Sequence, residues 1–376
     1  MKMEGEIMAE KEEKKVVDEQ ALENKCPACK ASIKFNPKVG KFKCEYCGSE
    51  FTLEEMQKHS DNASTEEKNQ PKEKQVKKDT YDNYVSYHCE SCGAEIIADD
   101  QTAATFCVYC GNTAILKSKL SGEFTPDKMI VFKKDKQEPV NAFKGLRKGR
   151  PLMPKDFNSE KNIEKIRGVY IPFWLYDINV SGELDMIGDI VTTWSSGDTH
   201  YTKTDKYRVL RGGKMDYNNI PVDASTRFDN NIMNSIEPFN FNELIPYNHA
   251  YLSGFYAEKY DEEGEKNYNE ASERALNSTR TRMKRTASRF SSLTVKKDTL
   301  QTKETKRQYA LLPVWMVNVK YKGKMYPFAM NGQTGEFIGN IPLDVGKTVL
   351  YFFLIFGATF ITVILTSIIL FVAGGM

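Results

Sequence analysis

The strongest constraint on what this chain can fold into is a repeated spacing of cysteines. All eight cysteines stand in Cys-x2-Cys pairs, and 14 residues separate the two pairs of each unit. The first unit comprises Cys26, Cys29, Cys44 and Cys47, and the second, 63 residues later, comprises Cys89, Cys92, Cys107 and Cys110. The two-residue gap lets both thiolates of a pair face one ion, and the interval has room for a hairpin. The spacing predicts zinc ribbons at 26–51 and 87–116.

Four thiolates close the coordination sphere of a zinc ion, so the two predicted ions are structural. Disulfides are the alternative for eight cysteines. The first residues contain no apolar run typical of a secretory signal peptide, however, and a reducing cytosol favours metal. His59 and His88 lie near the two units, but four cysteines already suffice for each ion. Ribbons of this size have too little core to fold without their metal.

A second constraint is an apolar run from Thr348 to Ala373 that contains no charged residue. At about 1.5 Å per residue, a helix over this run exceeds the roughly 30 Å thickness of a bilayer core. A buried helix of a soluble protein is the alternative, but such helices rarely stay uncharged for this length. We therefore predict one transmembrane helix at 348–373. It would act as a tail anchor in the cell membrane, with the bulk of the chain cytoplasmic.

Two segments are rich in Lys and Glu and poor in apolar residues, namely 1–25 and 52–86. Such segments bury too little surface to offset the entropy of ordering, which predicts a disordered charged tail and a charged linker. The formal net charge of the chain is only +2. No global field therefore attracts nucleic acid.

Residues 126–342 alternate strand-like and helix-like stretches and predict an α+β cytoplasmic domain. The stretch at 171–182 resembles the one at 312–323, and both are interpreted as strands entered through a proline. This echo leaves open whether the domain consists of two related halves. Trp174 and Trp315 match across the echo and are expected to be core anchors. Farther on, MNGQTG at 330–335 separates two alternating runs, which predicts a hairpin.

One long amphipathic helix is predicted over Glu265–Phe290. Its apolar residues recur at helical spacing, with acids gathered at its start and bases toward its end. The bases are Arg280, Arg282, Lys284, Arg285 and Arg289. A solvated helix is the default interpretation. Contact with anionic lipid headgroups or with an acidic partner is the alternative.

The two ribbons differ in charge. The first carries Lys34, Lys38, Lys41 and Lys43, which suit phosphate contacts, whereas the second carries Asp99 and Asp100. Phe35 and Ile97 on the hairpins would suit a protein-docking face or would cover the metal sites. Among the chemistry-bearing motifs, neither H-E-x-x-H, nor G-x-G-x-x-G, nor a nucleophile elbow is present. We expect no catalytic residues, no small-molecule cofactor site and no enzymatic activity.

The order of these parts resembles the bacterial membrane proteins labelled TFIIB-type zinc ribbon-containing proteins, some of whose relatives carry primosomal or helicase-like labels. The resemblance covers about residues 89–342. The resemblance rests on the cysteine pairs and on three segments, GVYIPFWLYD at 168–177, YALLPVW at 309–315 and KYKGKMYPFAMNGQTGEFIGNI at 320–341. The second ribbon and the charged N-terminal extension depart from the family's pattern. The chain also lacks a Walker A lysine loop, which argues against helicase chemistry.

The resemblance implies a membrane scaffold or envelope-stress adaptor, with SPFH-like or phage-shock-protein-A-like partners. Together with the residues, it favours a membrane-tethered zinc-ribbon adaptor that docks cytoplasmic proteins through its ribbons and middle domain. The alternative is a membrane-tethered regulator that binds nucleic acid through the first ribbon. The acidic second ribbon disfavours that alternative.

Overall fold

The computed structural model describes residues 19–21, 24–61, 84–89, 95–99, 102–106, 113–116, 120, 124–163 and 165–374. Within them the strands are β1 (Glu19–Ala21), β2 (Ile33–Asn36), β3 (Lys41–Cys44), β4 (Glu50–Phe51), β5 (Tyr84–Cys89), β6 (Glu95–Asp99), β7 (Thr102–Phe106), β8 (Thr113–Ile115), β9 (Lys128–Met129), β10 (Arg167–Ser196), β11 (Thr199–Asp223), β12 (Ile245–Pro246), β13 (Tyr256–Glu258), β14 (Ser292–Asp298), β15 (Gln301–Tyr321), β16 (Lys324–Asn331) and β17 (Phe337–Gly339). The helices are α1 (Leu53–Asp61), α2 (Gln137–Gly145), α3 (Glu160–Ile163), α4 (Asn230–Ser235), α5 (Gly264–Arg285) and α6 (Val345–Gly374).

The chain forms two compact units. Unit 1 comprises Met1–Thr125 and Asn248–Tyr260, and unit 2 comprises Pro126–Tyr247 and Asp261–Met376. The segment 248–260, which lies inside the predicted 126–342 domain, therefore groups with the cysteine-rich residues. It adds β13 to unit 1, where Ala257 pairs with Ala104 of β7.

Unit 1 contains a small sheet in the order β2-β3-β4, as predicted for a ribbon hairpin between two cysteine pairs. Helix α1 follows it, inside the segment predicted as a charged linker. The helix forms because Thr52 and Glu55 make a capping box. The Glu55 carboxylate accepts from the Thr52 amide at 2.7 Å, and the Thr52 hydroxyl accepts from the Glu55 amide at 3.3 Å. Met56 on this helix is buried.

Unit 2 is organised around β10 and β15, which pair antiparallel from Arg167–Met316 to Ser181–Gln301. The other edge of β10 pairs with β11. The other edge of β15 pairs with β16 and, over two residues, with β9. The two similar stretches, 171–182 and 312–323, lie on the two strands of this ladder. Their first residues, Ile171 and Leu312, pair directly with each other. The hairpins β10–β11 and β15–β16 are thus arranged symmetrically about one residue pair.

The matched tryptophans occupy equivalent places in these hairpins. The Trp174 indole N–H donates to the Glu262 carbonyl at 2.8 Å, and the Trp315 indole N–H donates to the Lys134 carbonyl at 3.0 Å. Trp315 is buried and Trp174 is half-buried. Each ring therefore packs against the sheet while its polar edge finds a backbone acceptor, as expected for core anchors.

The prolines of the echo lie inside the strands, so the expectation that they begin the strands was wrong. Pro172 accepts from the Ala224 amide and Pro313 accepts from the Gly332 amide, each one residue beyond the end of a ladder. The nitrogen of a strand residue points to the same side as its carbonyl. The missing N–H of each proline therefore lies just beyond the last residue pair of the ladder, where no further backbone hydrogen bond is needed.

The two hairpins differ in length. The second turns at Lys322–Gly323, whereas the first continues past the corresponding Gly182 to a turn at Gly197–Asp198. At this turn Gly197 has a φ of 58°, as a two-residue hairpin turn requires. We call the additional residues 183–212 the arm. At about 3.4 Å per residue, β10 spans about 100 Å from Arg167 to the tip of the arm.

An interruption between two strands that share one edge of β10 marks where the arm begins. Strand β14 pairs with Leu184–Asp189 on the same edge of β10 that β15 occupies before it, and Thr299 and Leu300 connect the two. Gly182 approaches this connection so closely that a Cβ would lie 2.4 Å from the Thr299 carbonyl oxygen, and its φ is 141°. Only glycine fits both the contact and the backbone angle.

Helix α5 covers one face of the arm's first half. The residues predicted for its apolar face, Leu276, Met283, Ala287 and Phe290, are all buried. They lie against Tyr176, Val180, Leu184 and Met186 of β10. The helix ends at Arg285, earlier than the predicted Phe290, and the remaining residues turn back to start β14. From Val191 to Thr204 every residue of the arm is exposed.

The opposite end of the sheet carries α6. The ring of Phe157 packs on Tyr321 and Tyr326 beside the β15–β16 turn. Nearby, Lys347 donates to the Met153 carbonyl at 2.7 Å, which fixes the start of α6 there. This is the one helix in the described part of the chain that is long and apolar enough to cross a membrane. None of its apolar window Val345–Ile368 is buried.

We predict that Gly182→Ala destabilises unit 2 by about 2–4 kcal/mol, because a side chain at this position meets the Thr299 carbonyl and a strained φ. Its cross-strand partner Gly213 is the matched control. No atom lies within 4 Å of a Cβ built there. Gly213→Ala should leave stability unchanged or raise it by about 0.5 kcal/mol. Urea denaturation of the detergent-solubilised chain measures both variants, and equal midpoints would contradict the close approach.

We also predict that Asp223 makes unit 2 less stable as the pH rises. Asp223 is fully buried, and neither carboxylate oxygen has a hydrogen-bond partner among the described residues. Burial and the nearby Glu270 and Glu262 carboxylates raise its pKa to about 7. Because this exceeds the unfolded pKa of about 3.9, stability should fall between about pH 4 and 7 and stay lower above.

The variant Asp223→Asn should be more stable than the parent by about 4 kcal/mol at pH 8 and equal to it near pH 4. Thermal unfolding at a series of pH values measures the difference. Asp198→Asn at the exposed tip of the arm is the control and should shift nothing. A parent protein whose melting temperature is flat between pH 5 and 8 would refute the buried-carboxyl account.

Candidate metal centre

The four cysteines of the first unit lie together in unit 1. Cys26 and Cys29 precede β2, Cys44 ends β3, and Cys47 lies in the turn before β4. Because β2 and β3 form an antiparallel hairpin with Ile33 opposite Cys44, the chain returns the second pair to the first. The four sulfur atoms lie within 4.8 Å of one another. This cluster could hold a metal ion.

The sulfur–sulfur distances fit a tetrahedral site. The Sγ atoms of Cys26 and Cys47 are 3.7 Å apart, and those of Cys29 and Cys44 are 3.6 Å apart. Four thiolates at about 2.3 Å from one zinc ion would be about 3.8 Å from each other. Cys26 and Cys44 are buried and Cys47 is exposed, so the site opens to solvent on one side. The donor set therefore suits a thiophilic ion such as zinc.

The thiols have very different proton affinities. Hydrogen bonds with the Ser49 hydroxyl and backbone lower the pKa of Cys47 to about 6. The backbone of Ala31 acts to lower the pKa of Cys29, but burial and the neighbouring Cys47 thiol act against it, and the pKa rises to about 12. The Cys29 thiol therefore resists deprotonation unless a cation is present. Binding of a divalent metal would release protons.

Both knuckles use the same backbone conformation. Gly48 follows Cys47 with a φ of 76°, and Lys30 follows Cys29 with a φ of 63°. The Lys30 amide donates to the Cys26 carbonyl at 2.9 Å, and the Gly48 amide donates to the Cys44 carbonyl at 3.0 Å. Lys30 therefore adopts the same left-handed conformation as Gly48, at some cost in strain because it is not a glycine.

The second predicted site lies outside the described residues. Cys92, Cys107 and Cys110 are not among them, and Cys89 is described only as the last backbone position of β5. His59 and His88 are likewise described by backbone alone. The prediction of a second ribbon stays a prediction.

Phe35 was one of two residues expected either to form a docking face or to cover a metal site. It is buried, which excludes it from an exposed docking face, and its ring lies 5.3 Å from Phe42 and 5.1 Å from Tyr251. The Phe35 amide also donates to the Ser253 carbonyl at 3.0 Å. The other suggested residue, Ile97, lies at a position where only the backbone is described.

The first ribbon's core is completed by residues that sequence reasoning did not assign to it. Tyr251 contributes a third ring, and Asn24 donates to the Ser253 hydroxyl at 2.5 Å. These partners come from the segment 248–260, far along the chain. The aromatic character of that segment was visible, but no local signal connected it with the cysteines.

The lysines of the first ribbon are partly neutralised. Lys34 pairs with Glu45 at 2.8 Å and Lys43 pairs with Glu50 at 3.7 Å. Tyr46, between Cys44 and Cys47, exposes 85% of its surface, and Val39 at the hairpin turn exposes 50%. The ribbon therefore presents an aromatic and an aliphatic side chain beside paired charges.

Comparison with known proteins identifies a close full-length relative. The uncharacterized protein YdjG of Bacillus subtilis (strain 168) is 35% identical over 344 residues, which cover 92% of this chain and 97% of YdjG. No protein-family model matches the chain, and no solved structure does. The likeness extends over both units.

We predict that Lys30→Gly strengthens metal retention by the first ribbon. A left-handed conformation costs a non-glycine residue roughly 1–2 kcal/mol, and glycine avoids this cost. Glycine also raises the conformational entropy of the unfolded chain, which offsets part of the gain. A net gain of up to about 1 kcal/mol is expected, measured as slower metal loss to a chelator. Lys30→Ala keeps the Cβ and should gain nothing, and Gly48→Ala should lose metal faster. Faster loss from Lys30→Gly than from the parent would contradict the strain argument.

Proposed function

The chain belongs to the same family as YdjG of Bacillus subtilis, and for this protein we propose the function of a membrane-tethered adaptor that docks cytoplasmic proteins. Helix α6 is the anchor in the cell membrane, and the bulk of the chain faces the cytoplasm. The zinc ribbons and unit 2 supply the docking surfaces. No chemical step is assigned to the chain.

The observation that carries this proposal is the state of α6. Its apolar side chains are exposed along the whole window, so the rest of the chain does not cover them. A helix with this composition leaves a large apolar surface in water, which a bilayer would remove. Lys347 at its first turn donates to the Met153 carbonyl, which connects the helix to unit 2.

Zinc is the ion we propose for the cysteine clusters. Four thiolates at tetrahedral separation leave no open coordination position, so the ion would hold the ribbon fold and would not activate water. We assign one ion to the first unit and, by the identical spacing, a second to Cys89, Cys92, Cys107 and Cys110. A TFIIB-type ribbon is consistent with both.

Docking of proteins fits the first ribbon better than docking of nucleic acid. Phosphate contacts need free bases, but Glu45 and Glu50 already pair with Lys34 and Lys43. The exposed Tyr46 suits a protein interface, where tyrosine is enriched. SPFH-like and phage-shock-protein-A-like proteins are the partners that the family resemblance favours.

A crosslinking experiment in cells tests this function. A photoreactive phenylalanine replaces Tyr46, in the full chain and in a chain that stops at Gly346. We expect the full chain to fractionate with membranes and to form discrete crosslinks to proteins. The shortened chain should become soluble after a high-salt wash. The matched control adds Cys44→Ser, which should abolish the crosslinks by unfolding the ribbon.

Two results would overturn the proposal. A shortened chain that stays in the membrane pellet after a high-salt wash would remove α6 as the anchor. Crosslinks to RNA or DNA in place of protein would replace the adaptor by the nucleic-acid-binding regulator.

A further inference from the structure

The end of α5 carries bases that form no ion pair within the described residues, although Lys284 is close enough to Asp298 to help lower the pKa of that carboxyl. Along this helix Arg274 pairs with Glu237 at 2.6 Å and Arg280 pairs with Asp298 at 2.7 Å. The bases that follow are Arg282, Lys284, Arg285 and Arg289. They are all exposed, and within the described residues none of them forms an ion pair. The positive charge of the helix is therefore concentrated where it reaches the arm.

An aromatic surface begins where the helix ends. Phe290 packs directly on Gly188, where a Cβ would lie 2.6 Å from the ring, and its ring centroid is 5.8 Å from that of Tyr207. Farther out on the same face of the arm, Trp194 and Tyr201 stack at 5.4 Å. The sheet alternation puts Gly188 and Trp194 on one face, about 20 Å apart.

The arm itself adds little charge. Lys206 pairs with Asp189 and Arg208 pairs with Asp185. Lys203 pairs with Asp205 at 3.0 Å. The bases at the end of α5 thus set the charge of this surface, and its partner should be anionic.

Tryptophan and tyrosine on the same surface as arginines that have no acid partner form the combination that settles at the headgroup level of a bilayer. A single-stranded nucleic acid would need free aromatic faces for base stacking, but Trp194 and Tyr201 stack on each other. A second copy of this chain would bring like charges together.

The aromatic and basic surface of the arm and α5 lies far from the start of α6, so it would contact lipid separately from that helix. Helix α6 starts beside the β15–β16 turn, and the arm extends from the other end of the same sheet. About 100 Å of strand separates the two ends. We propose that the tip of the arm and the basic end of α5 bind anionic phospholipid headgroups of a second membrane surface.

A vesicle-capture assay with the full chain tests this inference. The chain is reconstituted into phosphatidylcholine vesicles, and fluorescent vesicles rich in phosphatidylglycerol are added. We expect capture of the anionic vesicles and none of phosphatidylcholine acceptors. The variant Arg282→Glu/Arg285→Glu/Arg289→Glu should reduce capture at least tenfold, and Trp194→Ala/Tyr201→Ala should reduce it severalfold.

The matched control reverses three exposed lysines at the opposite end of the sheet, as Lys320→Glu/Lys322→Glu/Lys324→Glu. It should capture anionic vesicles like the parent. Absence of capture, equal capture of neutral vesicles, or capture unchanged in the arginine variant would each overturn the inference. Binding of a single-stranded RNA that the arginine variant loses, without any vesicle capture, would assign the surface to nucleic acid instead.

The inference rests on the proposed function in taking α6 as the anchor in the first membrane, but the two can fail separately. Flotation of the chain with the first vesicles reports insertion of α6. Quenching of Trp194 by brominated phosphatidylglycerol reports the headgroup contact whether or not α6 inserts, with Trp194→Phe as the blank for the other tryptophans. Flotation without quenching would reject the lipid contact alone, whereas quenching without flotation would reject the anchor alone.

Discussion

Unit 2 depends on the antiparallel ladder between β10 and β15. The strands at its centre bury Ile171, Phe173, Leu312 and Val314 completely, and the helix α4 packs over them through Met233. The other long strands pair with one of these two: β11 and β14 with β10, and β9 and β16 with β15. A shift by one residue would turn every buried side chain of the ladder to the other face. Both prolines and both tryptophans are therefore fixed by a single register.

That register explains what the sequence could and could not predict. The echo at 171–182 and 312–323 identified two equivalent strands, because their aromatic and β-branched residues recur in the same order. It could not tell that Ile171 and Leu312 are partners, since pairing is a tertiary property. The hairpin at MNGQTG was predictable because its chemistry is local. The buried Asn331 accepts from the Gln333 and Thr334 amides and so holds the turn by itself.

For the metal centre, too, the local structure could be predicted from the sequence and the tertiary contacts could not. Cysteine spacing alone predicted that Cys26, Cys29, Cys44 and Cys47 meet, since a knuckle and a short hairpin are local structures. The surroundings of the site were not predictable in this way. Phe35 is covered by Tyr251, which a large part of unit 2 separates from it in the chain. A local pattern can show that a side chain is apolar, but not which distant segment buries it.

The outer part of the arm is not explained by the stability of unit 2. A two-stranded ribbon is marginal in water unless a third strand or a helix supports it. Helix α5 and β14 support the arm only as far as about Gly188 and Asp189, and beyond them the cross-strand pair of Trp194 and Tyr201 is the main apolar contact. The equivalent hairpin already turns at Gly323, so the ladder is complete without this extension. Stability of unit 2 therefore gives no reason to expose two large aromatic rings at the far end of a long strand. A surface that is covered only when a partner binds does give one. Such a partner would remove the rings from water, and an anionic partner would also balance the bases at the end of α5, about 20 Å away.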